Sequence, residues 1–291
     1  MSVRRGIRVR AFAKINLTLR VLGVRTDRYH ELRTTFQSIA LHDTLTFRAV
    51  TGPFRIECGD PACPSDRTNL IWHAAERMCR AASRGGVPRD VVVRVAKRIP
   101  MQAGLGGGSS DAASTLVALD ALWRVRMSRE KMRSIASEVG ADVPFFLEGG
   151  TALGLERGDL LFPLLDAPAS WVVLAIPDFG VSTREAYGWL DRDRKAEGLR
   201  RGRAEVSGGN DLQAVVSRHH PEIGRLVSAL RRRGASHAAL SGSGSAVFGL
   251  FTSRAAAASA ARALASRTRR ILVTRTLDRA RYARLARVGS G

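Results

Sequence analysis

The run PMQAGLGGGSSDAASTLVALDALW, residues 100–123, puts four glycines within five positions, then two serines and an aspartate, then an Ala/Leu-rich segment. Glycine lets backbone approach backbone and adopts positive φ, so consecutive N–H groups can turn inward around an anion. A helix starting directly afterwards adds about half a positive charge and several unpaired N–H donors. The β-branched residues 91–95 just upstream read as a strand. Strand, glycine loop, hydroxyl residues and helix therefore follow in the order of a phosphate cradle. A plain surface turn has no need of GLGGGSSD. Two common cradles are excluded. GxxxxGK[ST] fails because no lysine lies in or after the loop, and GxGxxG fails from Gly104 because position 109 is Ser109. Ser110 or Asp111 is expected to cap the helix, which should reach about Trp123.

Working outward, IRVRAFAKINLTLRV (7–21) alternates, with Ile15, Leu17, Leu19 and Val21 on one face and Lys14, Asn16 and Thr18 on the other. A strand is expected in LTFRAV (45–50) and a helix over 69–80. Another helix should start at Ser128 and stop at Gly140 in a left-handed terminal position. GTALGLERGDLLFPL (150–164) reads as hairpin strands, and the Pro-containing LLDAPAS (164–170) as a boundary between residues 1–163 and 164–291. Beyond it, WVVLAIP (171–177) is a buried-looking strand and residues 191–209 a solvated loop or exposed helix end. HAALSGSGSAVFGLF (237–251) is strand, glycine turn, strand. Residues 253–291 carry ten arginines and one acid on a helical background, with ILVTRTL as a last strand. Helices and strands mix in both halves, so the fold class is α+β with two subdomains.

The 291 residues, 45% of them hydrophobic, suit one large or two modest soluble domains. No apolar run approaches a membrane span, and the basic N-terminus lacks the apolar core of a secretory signal, so a cytoplasmic protein with no membrane partner is expected. Cys58, Cys63 and Cys79 are sparse, with no CxxC and no histidine cluster, and read as reduced thiols, not metal ligands. The net charge of +21 invites a nucleic-acid reading. Only four of the 47 basic residues are lysine, and no arginine run interleaves with aromatic stacking residues. Weak, salt-sensitive association with polyanions is expected, and no specific nucleic-acid partner.

PMQAGLGGGSSDAA (100–113) closely resembles the glycine-rich motif of the GHMP kinases. AFAKINLTLRVLGVRTDRYHELRTTFQSI (11–39) looks like the N-terminal signature of the 4-diphosphocytidyl-2-C-methyl-D-erythritol kinases within that superfamily. GADVPFFLEG (140–149) is similar to their catalytic-aspartate motif and LSGSGSAVFGLF (240–251) to their third glycine motif, so the resemblance spans about residues 10–250. It implies a two-subdomain fold with the active site in the cleft between the halves, and transfer of the ATP γ-phosphoryl group to a hydroxyl of a cytidylated polyol. Another small-alcohol kinase, such as homoserine kinase, is the alternative. A basic nucleic-acid-binding protein is the alternative from outside the enzymes.

The same resemblance distributes roles. Asp142 falls at the position of the catalytic base and Lys14 at that of its cationic partner. From spacing alone, Asp142 serves equally well as the N-cap of a short helix. The ATP site falls on Pro100, Met101, Gln102, Ala103, Gly104, Leu105, Gly106, Gly107, Gly108, Ser109 and Ser110, with Asn69 and Lys97 on the adenine side. The acceptor site falls on Asn16, Asp142, Thr183, Gly242 and Ser243. Tyr29 and Tyr187 are placed to stack on the two faces of the cytosine while His30 reads its edge. Mg²⁺ is expected from ATP chemistry; Ser110 is the nearest thing to a ligand, and no carboxylate stands out.

Overall fold

A computed structural model of the chain describes residues 6–196 and 209–290. Its frame is a long antiparallel hairpin of β1 (Ile7–Val24) and β2 (His30–Pro53). β2 changes its second neighbour along its length, pairing β5 (Thr151–Glu156) over residues 32–37 and β4 (Arg89–Ala96) over residues 44–53. It is therefore far longer than the six-residue LTFRAV strand expected from alternation. β3 (Arg55–Cys58) runs parallel to β4, and β6 (Leu160–Pro163) closes the expected hairpin with β5.

One face of this sheet is covered by α1 (Leu70–Ala81), α2 (Gly107–Trp123), α3 (Arg129–Val139) and the single turn α4 (Phe145–Glu148). Leu45, Phe47, Ile71, Met78, Val93, Leu116, Leu119 and Phe145 form the core between sheet and helices. In the second half, β7 (Trp171–Pro177) lies central in an antiparallel sheet with α5 (Thr183–Ala196), α6 (Asp211–His219) and α7 (Pro221–Arg232) following it in sequence. The sheet is completed by β8 (His237–Leu240), β9 (Val247–Phe251) and, after α8 (Arg254–Leu264), β10 (Arg269–Arg275), in the order β10-β7-β9-β8. Of the charged segment 191–209, the first residues continue α5 to Ala196, while residues 197–208 lie outside the described residues.

A third buried cluster joins the halves. Ala13, Ile15 and Ile39 of the hairpin and Ala103 and Leu105 of the glycine loop meet Val172, Leu174 and Phe248 of the second sheet. Further along β1, Leu19 and Val21 enter the second core, and the Leu19 N–H donates to Gly209 O at 3.0 Å. The basic C-terminal stretch also returns to the first half. α9 (Arg279–Leu285) delivers Tyr282, whose hydroxyl donates to Phe146 O at 2.6 Å, and β11 (Gly289–Ser290) pairs with β1. Burial raises the Tyr282 phenol above its ordinary value, so this hydrogen bond keeps its proton at any physiological pH.

Two local expectations are corrected. α2 starts at Gly107, three residues before Ser110, because Gly106 takes the left-handed conformation (φ 71°) and turns the chain straight into the helix. Ser110 and Asp111 therefore lie inside the helix and cap nothing. Gly140 does end α3, with Ser128 capping its start, but in extended geometry (φ 173°) open to any residue.

Gly104 (φ +73°) lies so close to the second half that a Cβ there would overlap the Ser241 carbonyl oxygen. A Cβ at Gly108 would meet only Leu70, at 3.7 Å. Gly104→Ala is thus expected to lower unfolding stability by about 2–4 kcal/mol, combining a strained φ with overpacking against backbone. Gly108→Ala, in an ordinary helical turn, should leave stability unchanged or raise it by up to about 1 kcal/mol. Urea melts of the two variants check this, and equal midpoints would show that the two loops are not in contact.

Candidate active site

The side chains that the sequence marks as polar on β1 converge at the junction between the halves. Lys14 is 4% exposed, and its Nζ donates to Asn16 Oδ1 at 2.6 Å and lies 3.3 Å from Asp142 Oδ2. The ammonium also stands 5.3 Å over the Phe36 ring. Asn16 is held in turn, its Nδ2 donating to Thr34 Oγ1 at 2.7 Å, and that hydroxyl donates to Thr18 O. Asp142 sits in the turn between α3 and α4. Pro144, not Asp142, occupies the N-cap of α4, so the carboxylate is free for Lys14 and its side chain stays 33% exposed.

The glycine loop is pinned against this pair. Lys14 N donates to Leu105 O at 3.0 Å, and a Cβ at Gly106 would stand 2.6 Å from Phe146 Cζ and 3.1 Å from Lys14 Cγ. On its other side the loop meets the second glycine turn. Ser241 Oγ donates to Gly104 O at 2.9 Å, Ala246 N donates to Ala103 O at 3.1 Å, and Gly242 lies beside Asn16 and Gly104. Asn210 braces that turn, donating from Nδ2 to Leu240 O and Gly242 O while its Oδ1 caps α6. Thr183 and Ser243 share a hydroxyl–hydroxyl bond of 3.1 Å. The structure thus brings together Lys14, Asn16, Asp142, the loop 104–106, Gly242, Ser243 and Thr183.

Ser110, fully buried in the first turn of α2, has an Oγ with no protein hydrogen-bond partner among the described residues. An orphaned hydroxyl beside helix N–H groups fits a phosphate oxygen or a phosphate-bound cation. The remaining loop residues lead into it from β4, with Met101 and Gln102 exposed, Pro100 half-buried and Ala103 buried.

The two residues expected on the adenine side each have protein partners. Asn69 caps α1, its Oδ1 accepting from Ile71 N at 2.9 Å and its Nδ2 donating to Pro64 O at 2.6 Å. Its amide is therefore committed to the fold. The Lys97 side chain is buried, bonded to Asp43 Oδ2 at 2.5 Å and Asp111 Oδ2 at 2.9 Å. Burial alone would lower the Lys97 ammonium, but the charges of Asp111 and Asp43 outweigh it and hold it above the ordinary lysine value. Asp111 is raised as well, for a different reason. Burial pushes its carboxyl up, the charge of nearby Asp43 adds to the rise, and its Oδ1 has no partner. Asp43 also accepts from Arg98 N and Ile99 N, so this ion cluster fixes the strand end from which the glycine loop departs. Asp43 was legible in principle. It falls on the same alternation face as Ile39, Leu45 and Phe47, so a buried carboxylate needing a cation was implied.

Two of the residues expected at the cytosine are in contact with each other. His30 stacks directly on Tyr187, with ring centroids 4.4 Å apart and planes at 29°. Its Nε2 lies 3.0 Å from Asp191 Oδ1, which holds the imidazole over the phenol ring. Tyr29 stands at the hairpin turn, 57% exposed, with the Arg157 guanidinium 5.4 Å over its ring. Tyr187 is partly buried against the second core. Burial, and after it the charges of Asp142 and Asp211, raise its phenol above the ordinary value. Sequence periodicity carries no signal for Asp191 or Asp211, because both act across the junction.

Among the described residues, no helix is long and apolar enough to cross a membrane, and no group of three His, Cys, Asp or Glu side chains stands ready to hold a metal ion. Residues 69–150 match the family described as GHMP kinases N terminal domain, and residues 193–269 that described as GHMP kinases C terminal. A 4-diphosphocytidyl-2-C-methyl-D-erythritol kinase of Moorella thermoacetica is 43% identical over 92% of this chain and 98% of its own length. The enzyme of that name from Gloeobacter violaceus is 39% identical over 86% and 87%. A crystal structure of 4-(cytidine 5'-diphospho)-2C-methyl-D-erythritol kinase superposes with a TM-score of 0.75 at 34% identity, covering 92% of this chain and 98% of that one. Homoserine kinase from Cytophaga hutchinsonii shares the fold, with a TM-score of 0.68 at 19% identity. Similarity of this extent to proteins of one name, over nearly the whole chain, settles the kinship: the chain belongs to the GHMP kinases, in the family of the 4-diphosphocytidyl-2-C-methyl-D-erythritol kinases.

Proposed function

We propose that this chain transfers the γ-phosphoryl group of ATP to the 2-hydroxyl of 4-diphosphocytidyl-2-C-methyl-D-erythritol, a step of non-mevalonate isoprenoid biosynthesis, in the cytoplasm. The observation that carries the reading is the Lys14–Asp142 pair, 3.3 Å apart and pressed against the Gly106 turn at the start of α2. Residues 1–163 and 164–291 are taken as the two halves of the enzyme, with α9 and β11 folding back onto the first.

Phosphoryl transfer asks the protein to position its reactants and neutralise charge more than to form bonds with them. The backbone N–H groups of residues 104–108 and the hydroxyls of Ser109 and Ser110 face the ATP phosphates in this reading, at the positive end of α2. Asp142, the half-open carboxylate, accepts the proton of the acceptor hydroxyl as its oxygen attacks phosphorus. Lys14 offsets the negative charge that develops on that oxygen, and Asn16 fixes the ammonium so that little reorganisation is needed in the transition state. Thr183, Gly242 and Ser243 line the same junction from the second half and serve the diphosphate of the acceptor. Mg²⁺, carried on ATP, would neutralise phosphate charge, and the unpartnered Ser110 hydroxyl would be a protein contact for it. Asn69 and Lys97 act from behind, as the wall and the ion-paired support of the nucleotide loop.

Recognition of the base rests on Tyr29, His30 and Tyr187. His30 already covers one face of Tyr187, so a cytosine taking that face must displace the imidazole from its place beside Asp191. ADP release with the cytidylated substrate, set against unmodified methylerythritol phosphate and homoserine, tests the whole reading. Turnover confined to the first supports it, and equal turnover of homoserine sinks it.

Asp142→Asn is expected to lower kcat by about 10²–10⁴-fold, the usual contribution of a general base, with ATP affinity close to wild type. A variant keeping a third of wild-type turnover would remove Asp142 from the role. Tyr29→Ala is expected to weaken the cytidylated substrate by about 1–3 kcal/mol, roughly 5- to 150-fold, with ATP binding spared. Uracil in place of cytosine should also lower kcat/KM, since an amino donor becomes a carbonyl acceptor and leaves a protein group unpaired. Equal kcat/KM for the two bases, with a silent Tyr29→Ala, would dispose of the nucleotide clamp.

A further inference from the structure

The face of the first sheet that α1 to α4 do not cover carries a second concentration of anion-binding chemistry, outside the site described above. Strand register sets it out as a row. Arg8 of β1 is opposite Thr46 of β2, Thr46 opposite Arg94 of β4, and Arg94 opposite Glu57 of β3. Thr44 and Arg48 lie two residues to either side of Thr46 on the same face of β2. Arg98 follows Arg94 four positions on, past the end of β4. Neighbouring strands are about 4.8 Å apart, so the backbones carrying Arg8 and Arg94 are about 10 Å apart, within reach of two long side chains folding over one ligand. These residues line an open cavity of about 870 Å³, with Thr44 and Thr46 also on its lining.

Its charge is largely unanswered. Arg8, Arg48, Arg94 and Arg98 are all exposed, and only Arg94 has a carboxylate, Glu57, at 2.6 Å. No carboxylate lies within ion-pair distance of the Arg8, Arg48 or Arg98 side chains among the described residues. The hydrogen bond from Arg94, with the charges of Arg94, Arg55 and Arg48, holds Glu57 below the usual carboxylate range, so one ionised acid faces the whole group of arginines. None of the lining residues is aromatic, whereas single-stranded nucleic acid is held on stacking side chains. Guanidinium forks and hydroxyls around an open cavity match phosphate oxygens instead.

From this we infer that the outer face of the first sheet holds a binding site for a small polyphosphorylated anion, gripped by Arg8, Arg48, Arg94 and Arg98 over the Thr44 and Thr46 hydroxyls. The ligand class is a compound carrying at least two linked phosphates, distinct from the nucleotide at the glycine loop.

The probe is inorganic tripolyphosphate, titrated by calorimetry into enzyme whose nucleotide site is filled with a non-hydrolysable ATP analogue. One further site per chain is expected, weakening as salt rises from 50 to 200 mM, roughly the range over which exposed charges become screened. The double variant R8Q/R48Q should bind the probe about tenfold or more weakly, having lost two charge-assisted contacts. Its kinase constants should match wild type, because neither side chain touches the catalytic junction or makes an ion pair among the described residues. R8K/R48K, which keeps the charge without the fork, should fall between the two. Absence of binding to the analogue-filled enzyme overturns the site, and so does an affinity unchanged in R8Q/R48Q. Tighter binding of a single-stranded oligonucleotide than of tripolyphosphate, lost in the same variant, also overturns it and makes the face a polymer track.

Discussion

A primary ammonium in a protein interior must be answered by partners, and around Lys14 nearly every other feature of the junction is arranged. Its backbone N–H holds Leu105, its side chain carries Asn16 and Asp142, and its stem is what Gly106 must clear. Removing one partner of a fully buried pair costs about 3–5 kcal/mol. Asp142 is a third exposed, so solvent answers part of the charge and the cost here is smaller. That asymmetry is useful: the cation is fixed from below while the carboxylate opens to the acceptor. A symmetric buried pair would be more rigid and unable to take a proton from a substrate.

The glycines follow from the same constraint. Two loops, 104–108 and 241–245, come from different halves and meet backbone to backbone, with Ala103 and Leu105 buried between them as the apolar seal. At Gly104 and Gly106 the reason is steric as well as conformational, since a side chain would overlap Ser241 in one case and crowd Phe146 and Lys14 in the other. The loop therefore serves twice. It frees N–H groups toward a ligand, and it allows the approach of halves that places Asn16, Gly242, Ser243 and Thr183 around one point.

How much of this the chain discloses depends on the range of the interaction. Lys14 and Asn16 share a face by simple alternation, and the 237–251 turn and the 150–164 hairpin are local, so all were legible. The full length of β2 was not. Its residues 32–37, LRTTFQ, pair with β5 from more than a hundred positions away, and no short-range apolar period marks them. The start of α2 was misplaced because serine and aspartate are good caps, yet a left-handed glycine already performs the turn. The ion pairing of Lys97 was not legible because its two carboxylates come from different elements, 54 and 14 positions away. His30 was read as an edge reader of a base, and only the tertiary fold brings Asp191 to hold it flat on Tyr187.

The overall charge of +21 says little about the chemistry at the junction, where positive groups are matched. Lys14 has Asp142, and Lys97 has Asp43 and Asp111. The excess sits outside, on exposed arginines such as those along the uncovered sheet face. This separation has a physical reason. Unpaired cations beside the glycine loop would hold ATP tightly in ground and transition states alike, which lowers KM without raising kcat. Backbone N–H groups and one anchored lysine give a field that is oriented instead of merely positive. Outside, where water and salt screen a charge within about 10 Å, arginines add solubility and attract anions without disturbing the reaction. The same residue type is thus compatible with catalysis in this fold because it is kept away from the transferring phosphate.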